Sequence, residues 1–436
     1  MKKILTLTLL VAFISSCTDL DIDPPSFGEG EAETFSTFEG YQSYIAKVYA
    51  SLTLTGQQGA DGQADLSVIT DEGFSSYLRV WWKAQELTTD EAIIAWEDAG
   101  IRDLHNHAWS SDNQFVRVLY YRIFYTISLA NDFLRVSETL PEGLASEEIE
   151  EINRFRAEAR YIRAFAYWNA LDQFRNIVLV TSITSDLPEQ EDPSVVFDFI
   201  ISELDAIESE LFTAGQGSHP YGRVDQGAAW MLKAKMFLNS EVYTGIERFD
   251  LAITEANKVI NSGVYSLHEN YQELFMGDND LRTNEIIWPI VHDGLVSQTW
   301  GGTTTIIRGA IGGAMMDNER EDGEEFADEA LTLFGVPDGW EGYRTTSAFV
   351  NKFPDVLNTP VGESPDGRAI FFTEGQSLEI TEVGDFEDGY AVPKFTNIES
   401  STGQRAPGVD QVGTDYPVFR LADAYLILAE AELEEG

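Results

Sequence analysis

Two amphipathic helical patterns, joined by a short turn, set the strongest limit on how this chain folds. Alanine, leucine and methionine recur at helical spacing over 226–239, and alanine and valine do so over 249–261. Gly263 stands just past the second pattern, where a C-terminal cap belongs. Such a hairpin has roughly the tetratricopeptide period, about 34 residues, and must stack on others to bury its apolar face. The sequence predicts a mostly α protein of tetratricopeptide-like repeats, an α–α superhelix.

Charge limits the partners of this scaffold. The chain has 28 Lys+Arg against 74 Asp+Glu, a net charge of −46. Phosphate binding needs a basic face, so the balance argues against nucleic acid. Three arginines, Arg156, Arg160 and Arg163, share one stripe of a helical segment. In so acidic a chain we interpret them as internal ion-pair partners rather than ligand contacts.

Composition divides the chain into five regions. More than half of the 35 glycines lie in 266–415, where only short strand-like runs occur. Long loops on a rigid scaffold are where binding residues concentrate. The final helical pattern lacks a second helix to cover it, which predicts truncation at the C-terminus or a covering chain. The predicted regions are a signal peptide (1–16), an acidic tether (17–33), a helical scaffold (34–265), an irregular binding region (266–415) and the start of a further repeat (416–436).

The N-terminus has the pattern of an export signal. Lys2 and Lys3 precede an apolar stretch that is too short to span a bilayer. The sequence Ile-Ser-Ser-Cys over 14–17 is similar to a bacterial lipobox, with the chain's one cysteine, Cys17, at the lipid-attachment position. Acyl chains on that residue would anchor the protein to a membrane. The alternative is a plain secretory signal.

Catalytic and metal-binding motifs are missing from the sequence. It contains no H-E-x-x-H, G-x-S-x-G, P-loop or Rossmann pattern, and a single cysteine excludes a Cys-based zinc site. We therefore predict no catalytic residues and no required cofactor. Asp278, Asn279 and Asp280 form a candidate Ca²⁺ site, since clustered oxygen ligands suit that ion. A solvated turn is the alternative.

Tryptophans in loops are the main candidates for binding. Of the nine in the chain, Trp96, Trp300 and Trp340 stand among Gly, Asp and Thr. A pyranose has apolar C–H faces and a fringe of hydroxyls, so flat aromatic surfaces with a few polar groups bind it. The alternative is that these indoles only pack the loops onto the scaffold. The polar residues we expect to bond to the hydroxyls are Asp90, Arg102 and Arg344.

Several segments together resemble the SusD/RagB family of outer-membrane glycan-binding lipoproteins. They are spread over most of the chain, and each is weak when taken alone. The resemblance implies four tetratricopeptide-like helix pairs under a more irregular C-terminal portion. It also implies attachment to the outer membrane of Bacteroidota-type bacteria, with a SusC-like TonB-dependent transporter as partner and this protein as its lid. The segments are 155–168, 222–229, 256–265, 284–288 and 419–431.

Three further segments, 89–96, 300–304 and 339–346, look similar to starch-type members. In those members an aromatic arc cradles a maltooligosaccharide, and the resemblance carries that arc onto the three loop tryptophans. The resulting prediction is a cell-surface, non-enzymatic lipoprotein that captures an α-glucan such as starch and delivers it to the transporter. Three alternatives stay open: another glycan such as laminarin or another β-glucan, a secreted glycoside hydrolase, and a pure protein-interaction scaffold.

Overall fold

The computed structural model describes residues 27–67, 73–183, 187–316, 333–353 and 364–436. The predicted signal peptide and Cys17 lie outside these ranges. Of the helices within them, none has the length and apolar character needed to cross a bilayer. The α-helices are α1 (Phe27–Thr34), α2 (Phe38–Ala50), α3 (Tyr77–Glu86), α4 (Ile101–His105), α5 (Gln114–Val136), α6 (Ser146–Phe174), α7 (Pro193–Ile207), α8 (Gln226–Leu238), α9 (Ser240–Thr244), α10 (Phe249–Asn261), α11 (Gly302–Gly309), α12 (Ser347–Val350) and α13 (Leu421–Glu435).

Short strands form two antiparallel pairs that join the scaffold to the loop-rich region. The strands are β1 (Ala92–Ile94), β2 (Ile286–Ile290), β3 (Tyr343–Thr345) and β4 (Tyr416–Arg420). β1 pairs with β3, and β2 pairs with β4 with a bulge. Single turns of 3₁₀ helix occur at Gly73–Ser75, Gln216–Ser218, Tyr271–Phe275, Asn279–Leu281 and Gly313–Met316.

The helical scaffold is centred on α6, which packs between α5 and α7. Its alanines, among them Ala159, Ala166 and Ala170, are fully buried, because small side chains let neighbouring helices approach on more than one side. Arg160 and Arg163 on this helix both pair with Glu203 on α7, at 2.8 and 2.5 Å. The predicted internal ion pairs are therefore confirmed for two of the three arginines. Arg156 instead donates to the Leu134 carbonyl and the Ser137 hydroxyl.

The predicted helical hairpin is confirmed. α8 and α10 pack against each other, with the short α9 between them ending at Gly245, whose φ of 75° suits a residue without a Cβ. The mostly α, tetratricopeptide-like architecture follows from this stacking. α13 packs on α10 through buried Ala424 and Ile427, whereas Leu426 and Leu433 on its other side are 69% and 81% exposed.

The loop-rich region has a hydrophobic core of its own, built around residues such as Phe275, Ile307 and Phe395. The expected strand near 285–288 is present as β2, whereas 369–372 forms only an isolated bridge from Phe372 to Ala391. At the other end of the chain, α1 lies almost wholly in the range for which the sequence predicts a tether, 17–33, and ends one residue beyond it. The division into regions stays a prediction.

Candidate functional site

The structure brings Trp96, Trp340 and Trp300 together in a continuous row, which we call the tryptophan arc. The ring centroids of Trp96 and Trp340 are 6.2 Å apart, and those of Trp340 and Trp300 are 6.1 Å apart. Successive planes are turned by 51° and 49°, so the row is bent rather than flat. All three side chains are half-buried and keep exposed surface. A bent row of apolar faces can stack against successive rings of a curved polyhydroxylated chain.

Backbone pairing positions two of the indoles. Trp96 lies two residues beyond β1, and Trp340 lies three residues before β3, so the pairing of these strands brings the two segments together. The Trp96 Nε1 donates to the Trp340 carbonyl at 2.6 Å. Gly342 passes directly beneath the indole, since a Cβ there would lie 2.7 Å from the Trp96 ring. This glycine permits a close approach that a larger residue would block.

The third indole is positioned by the turn into α11. The Thr305 hydroxyl, on that helix, donates to the Trp300 carbonyl at 2.6 Å. Gly302, the first residue of the helix, has a φ of 55°, a region that favours glycine. The Trp300 Nε1 donates to Asp61 Oδ1 at 2.7 Å, which joins the arc to the 53–67 segment. Asp61 is a site residue for which the sequence offers no signal, because its partner is 239 residues away.

Cations support the arc from behind. The Arg308 guanidinium carbon lies 5.3 Å from the Trp300 centroid and 5.0 Å from that of Trp340, and the side chain is only 4% exposed. Its backbone carbonyl also accepts the Trp340 N–H at 2.7 Å. Lys83 Nζ lies 4.8 Å from the Trp96 ring. Cation–π contacts of this kind fix the ring orientation and are stronger when desolvated. Sequence reasoning missed these residues because the contacts exist only in the fold.

Of the polar residues predicted to assist, only Arg102 lies at the arc. It donates to the Ala95 carbonyl at 3.0 Å beside Trp96, pairs with Glu97 at 3.5 Å, and keeps 36% of its side chain exposed. Its position allows it to donate to a ligand that is stacked on Trp96.

The structure contradicts the prediction that Arg344 contacts a ligand. The side chain is 1% exposed and donates to the carbonyls of Val383, Asp385 and Asp388, which pins that loop. Loss of solvation on burial lowers the pKa of the guanidinium to about 10. Since β-strand residues alternate in direction, Tyr343 points towards the arc and Arg344 away from it.

Asp90 is also separated from the arc. It is exposed and precedes β1, whereas Trp96 follows that strand. Its backbone carbonyl accepts a hydrogen bond from Thr346, at the opposite end of the β1–β3 pair. With about 3.3 Å per strand residue, the two ends lie well beyond one hydrogen bond's reach.

Two of the three predicted calcium ligands are engaged elsewhere, and the third, Asp280, is exposed to solvent. Asp278 accepts from the backbone N–H groups of Ser400 and Ser401, at 2.7 and 3.0 Å. The Asn279 amide donates to the Leu274 and Asp415 carbonyls, both at 3.0 Å. In the described ranges, no three His, Cys, Asp or Glu side chains are grouped so that they could hold a metal ion. The geometry gives Asp278 and Asn279 a role in holding loops together.

Comparison with known proteins agrees with this architecture. No protein-family model matches the chain. The chain is 32% identical over 473 aligned residues to the starch-binding protein SusD of Bacteroides thetaiotaomicron, an alignment that covers 99% of this chain and 80% of that protein.

Solved structures share the fold. A SusD-like carbohydrate-binding protein from Bacteroides fragilis superposes with a TM-score of 0.67 at 17% identity, covering 92% of this chain and 75% of that one. A laminarin-binding SusD-like protein superposes with a TM-score of 0.62 at 21% identity, covering 90% and 80%.

Proposed function

This chain belongs to the SusD family of carbohydrate-binding proteins, and from that premise we propose that it captures an oligosaccharide at the bacterial surface through the tryptophan arc. The observation that carries the proposal is the contiguity of Trp96, Trp340 and Trp300, at centroid spacings of 6.2 and 6.1 Å. Indoles whose rear faces are held by buried cations need little reordering when a ligand stacks on them, and such preorganisation favours affinity.

The bend of the arc favours an α-glucan such as starch or a maltooligosaccharide. Consecutive planes turned by about 50° match a chain that curves as it passes from ring to ring. The relative that shares 32% identity is a starch-binding protein, which supports the same class. A β-glucan is the second candidate, because one structural neighbour binds laminarin. Arg102 stands at the Trp96 end, where it would donate to a sugar hydroxyl.

The family supports a proposal for the location and the partner of the protein. SusD-family proteins are outer-membrane surface proteins and work with SusC-type transporters. We extend this to the present chain as a lipoprotein anchored through Cys17, which delivers its glycan to a SusC-like TonB-dependent transporter. Labelling with an acyl-chain precursor, compared between the natural chain and Cys17→Ala, tests the anchor. Co-purification with a barrel partner tests the delivery step.

The glycan site is tested by removing the arc. Changing Trp96, Trp300 and Trp340 singly to Ala should weaken binding of maltoheptaose by roughly tenfold each, the usual effect of truncating an aromatic anchor. Trp109→Ala is the matched control, because Trp109 is 45% exposed and lies outside the arc. Isothermal titration measures the affinities, and circular dichroism verifies the fold. Unchanged binding in a variant that combines all three changes would remove the site assignment.

Two other functions need separate tests. New reducing ends after incubation with starch or laminarin would indicate a glycoside hydrolase, against which the carbohydrate-binding family argues. Capture of a barrel partner, together with no binding in a glycan array, would favour a pure scaffold.

A further inference from the structure

Exposed carboxylates surround the tryptophan arc. One accepts the Trp300 Nε1 hydrogen bond at 2.7 Å, two follow Trp96 directly in the chain, and two lie within two residues of Trp340. All five are exposed to solvent. We call this set the acidic rim; its members are Asp61, Glu97, Asp98, Asp338 and Glu341.

The cations near the arc do not balance the rim on its solvent side. Arg308 and Lys83 are 4% and 1% exposed and lie behind the indoles. Arg308 is also paired with Asp338 of the rim. Arg79, whose guanidinium carbon lies 5.9 Å from the Trp96 ring centroid, is half-buried. Arg102 is also half-buried and is paired with Glu97 at 3.5 Å. A ligand approaching from water therefore meets carboxylates first.

The same charge continues beside Trp340. A cleft of about 520 Å³ opens next to Glu341. Four of its seven lining residues are acidic and none is basic: Gly313, Glu341, Glu382, Gly384, Asp385, Phe386 and Glu387. Glu341 follows Trp340, the middle indole of the arc, so this cleft extends the negative field to one side of the rings.

Like charges brought close together at an interface are costly, and the cost is screened over about 8 Å at physiological salt. A uronate or sulfate group on a stacked sugar would lie within that distance of rim carboxylates, whereas a neutral hydroxyl would meet hydrogen-bond acceptors. The rim thus repels anionic glycans and changes the affinity for neutral ones little.

We infer that the acidic rim is a specificity device that admits neutral oligosaccharides to the arc and rejects uronate-bearing or sulfated ones. This inference rests on the proposed glycan-binding function of the arc and adds the class of glycan that it excludes. The residues assigned are those of the rim; Asp338 pairs with the buried Arg308 and Asp61 accepts the Trp300 indole N–H, so the test uses the other three, Glu97, Asp98 and Glu341.

The test compares maltoheptaose with its C6-oxidised form, in which primary alcohols are converted to carboxylates without change of linkage or length. Titrations at about 0.01 M and about 1 M NaCl span a change in screening length from about 30 Å to about 3 Å. We expect the natural protein to bind the neutral form at least roughly tenfold more tightly in low salt, with the ratio collapsing in high salt. The triple variant Glu97→Gln, Asp98→Asn, Glu341→Gln should gain affinity for the oxidised form and keep its affinity for the neutral one.

A second triple variant separates the rim from the overall charge. Glu142→Gln, Glu147→Gln and Glu150→Gln remove the same charge near the start of α6. At 1.5 Å per residue, this point is about 30 Å along the helix from Trp168, which packs on α3. If both triple variants gained the same affinity for the oxidised glycan, net charge rather than the rim would explain the effect, and the inference would be overturned. Equal binding of both glycans by the natural protein in low salt would overturn it and leave the proposed function intact. Binding of neither glycan would overturn the proposed function for α-glucans and the inference with it.

Discussion

In the helical scaffold, buried charged side chains meet one another, whereas in the loop-rich region they meet the backbone. Glu158 on α6 is fully buried and pairs with Arg223, and Lys233 on α8 pairs with Glu208. In the loops, the Arg344 guanidinium binds three carbonyls, and the buried Asp278 accepts the N–H groups of Ser400 and Ser401 at 2.7 and 3.0 Å.

The difference has a simple cause. A helix satisfies most of its own N–H and C=O groups, so a charge buried between helices pairs mainly with other side chains. Irregular backbone leaves those groups unpaired, and a buried polar group without a partner is costly. Charged side chains then stabilise loops by bonding to several backbone groups at once. The site combines both arrangements: Arg308 pairs with Asp338 and also donates to the Asp410 carbonyl.

The largest expected effect is a loss of stability when a buried ion pair of the helical scaffold is broken. Glu158→Ala leaves Arg223 half-buried against the Phe155 and Phe212 rings with Glu151 as its other ion-pair partner. The free energy of unfolding should fall by about 3 kcal/mol, the usual cost of removing one member of a buried pair. Urea denaturation measures it.

Glu150→Ala is the control for this variant. Glu150 lies on the same helix but is 75% exposed, and it meets Arg154 at 3.6 Å. Its removal should cost less than about 1 kcal/mol, as for surface pairs. Equal losses in the two variants would contradict the contrast between buried scaffold pairs and exposed ones.

A second prediction concerns pH in the loop-rich region. Burial raises the pKa of Asp415 to about 7, although the Tyr221 hydroxyl and the His292 N–H both donate to it at 2.6 Å. Burial lowers the pKa of the neighbouring His292 to about 4. Between pH 4 and 6.5 the folded state therefore holds a proton on Asp415 that the unfolded state releases, and lacks one on His292 that the unfolded state binds.

The contributions of Asp415 and His292 to the pH dependence of the free energy of unfolding have opposite signs, so they offset each other over that range. Asp415 alone makes stability fall as pH rises through 4 to 7, and His292 alone makes it rise through 4 to 6.5. In Asp415→Asn, only the His292 contribution remains, so the free energy of unfolding of the variant should rise with pH over this range. Relative to the natural protein, the gain is at most about 1.4 kcal/mol per pH unit. Urea midpoints at several pH values measure this, and parallel curves for the two proteins would refute it.

The difference between the helical scaffold and the loop-rich region also determines how much of the structure the sequence predicts. Helices α8 and α10 follow from apolar periodicity, and the Arg160 and Arg163 ion pairs follow from charge balance, because both signals are local or compositional. The arc tryptophans are recognisable from their glycine-rich surroundings and from family resemblance. Arg344 was misassigned because adjacency to Trp340 says nothing about which side of β3 it faces. Arg308 and Asp61 reach the arc only through contacts that tertiary folding creates.

A smaller effect, on glycan affinity, is expected for Arg308, which lies behind the arc. Arg308→Gln removes the cation beneath Trp300 and Trp340 together with its ion pair to Asp338. Affinity for maltoheptaose should fall by roughly fivefold, about 1 kcal/mol, as expected for a desolvated cation–π contact. Tryptophan emission should shift as the rings lose their fixed orientation. Arg117→Gln, an exposed position on α5, serves as control. Unchanged emission and affinity in Arg308→Gln would show that the hydrogen bonds of the arc hold the rings without the cation.

The smallest expected effect is at the link between the arc and the 53–67 segment. Asp61→Ala removes the acceptor of the Trp300 Nε1 hydrogen bond, which is exposed, so affinity for maltoheptaose should fall by roughly twofold. Asp61→Asn keeps a carbonyl oxygen in place and should retain the natural affinity, since a neutral glycan is insensitive to the lost charge. Titration of the two variants side by side separates the hydrogen bond from the charge. If Asp61→Asn weakened binding as much as Asp61→Ala, the carboxylate charge rather than the hydrogen bond would orient Trp300. The indole would then be another loop group that a charged side chain holds in place.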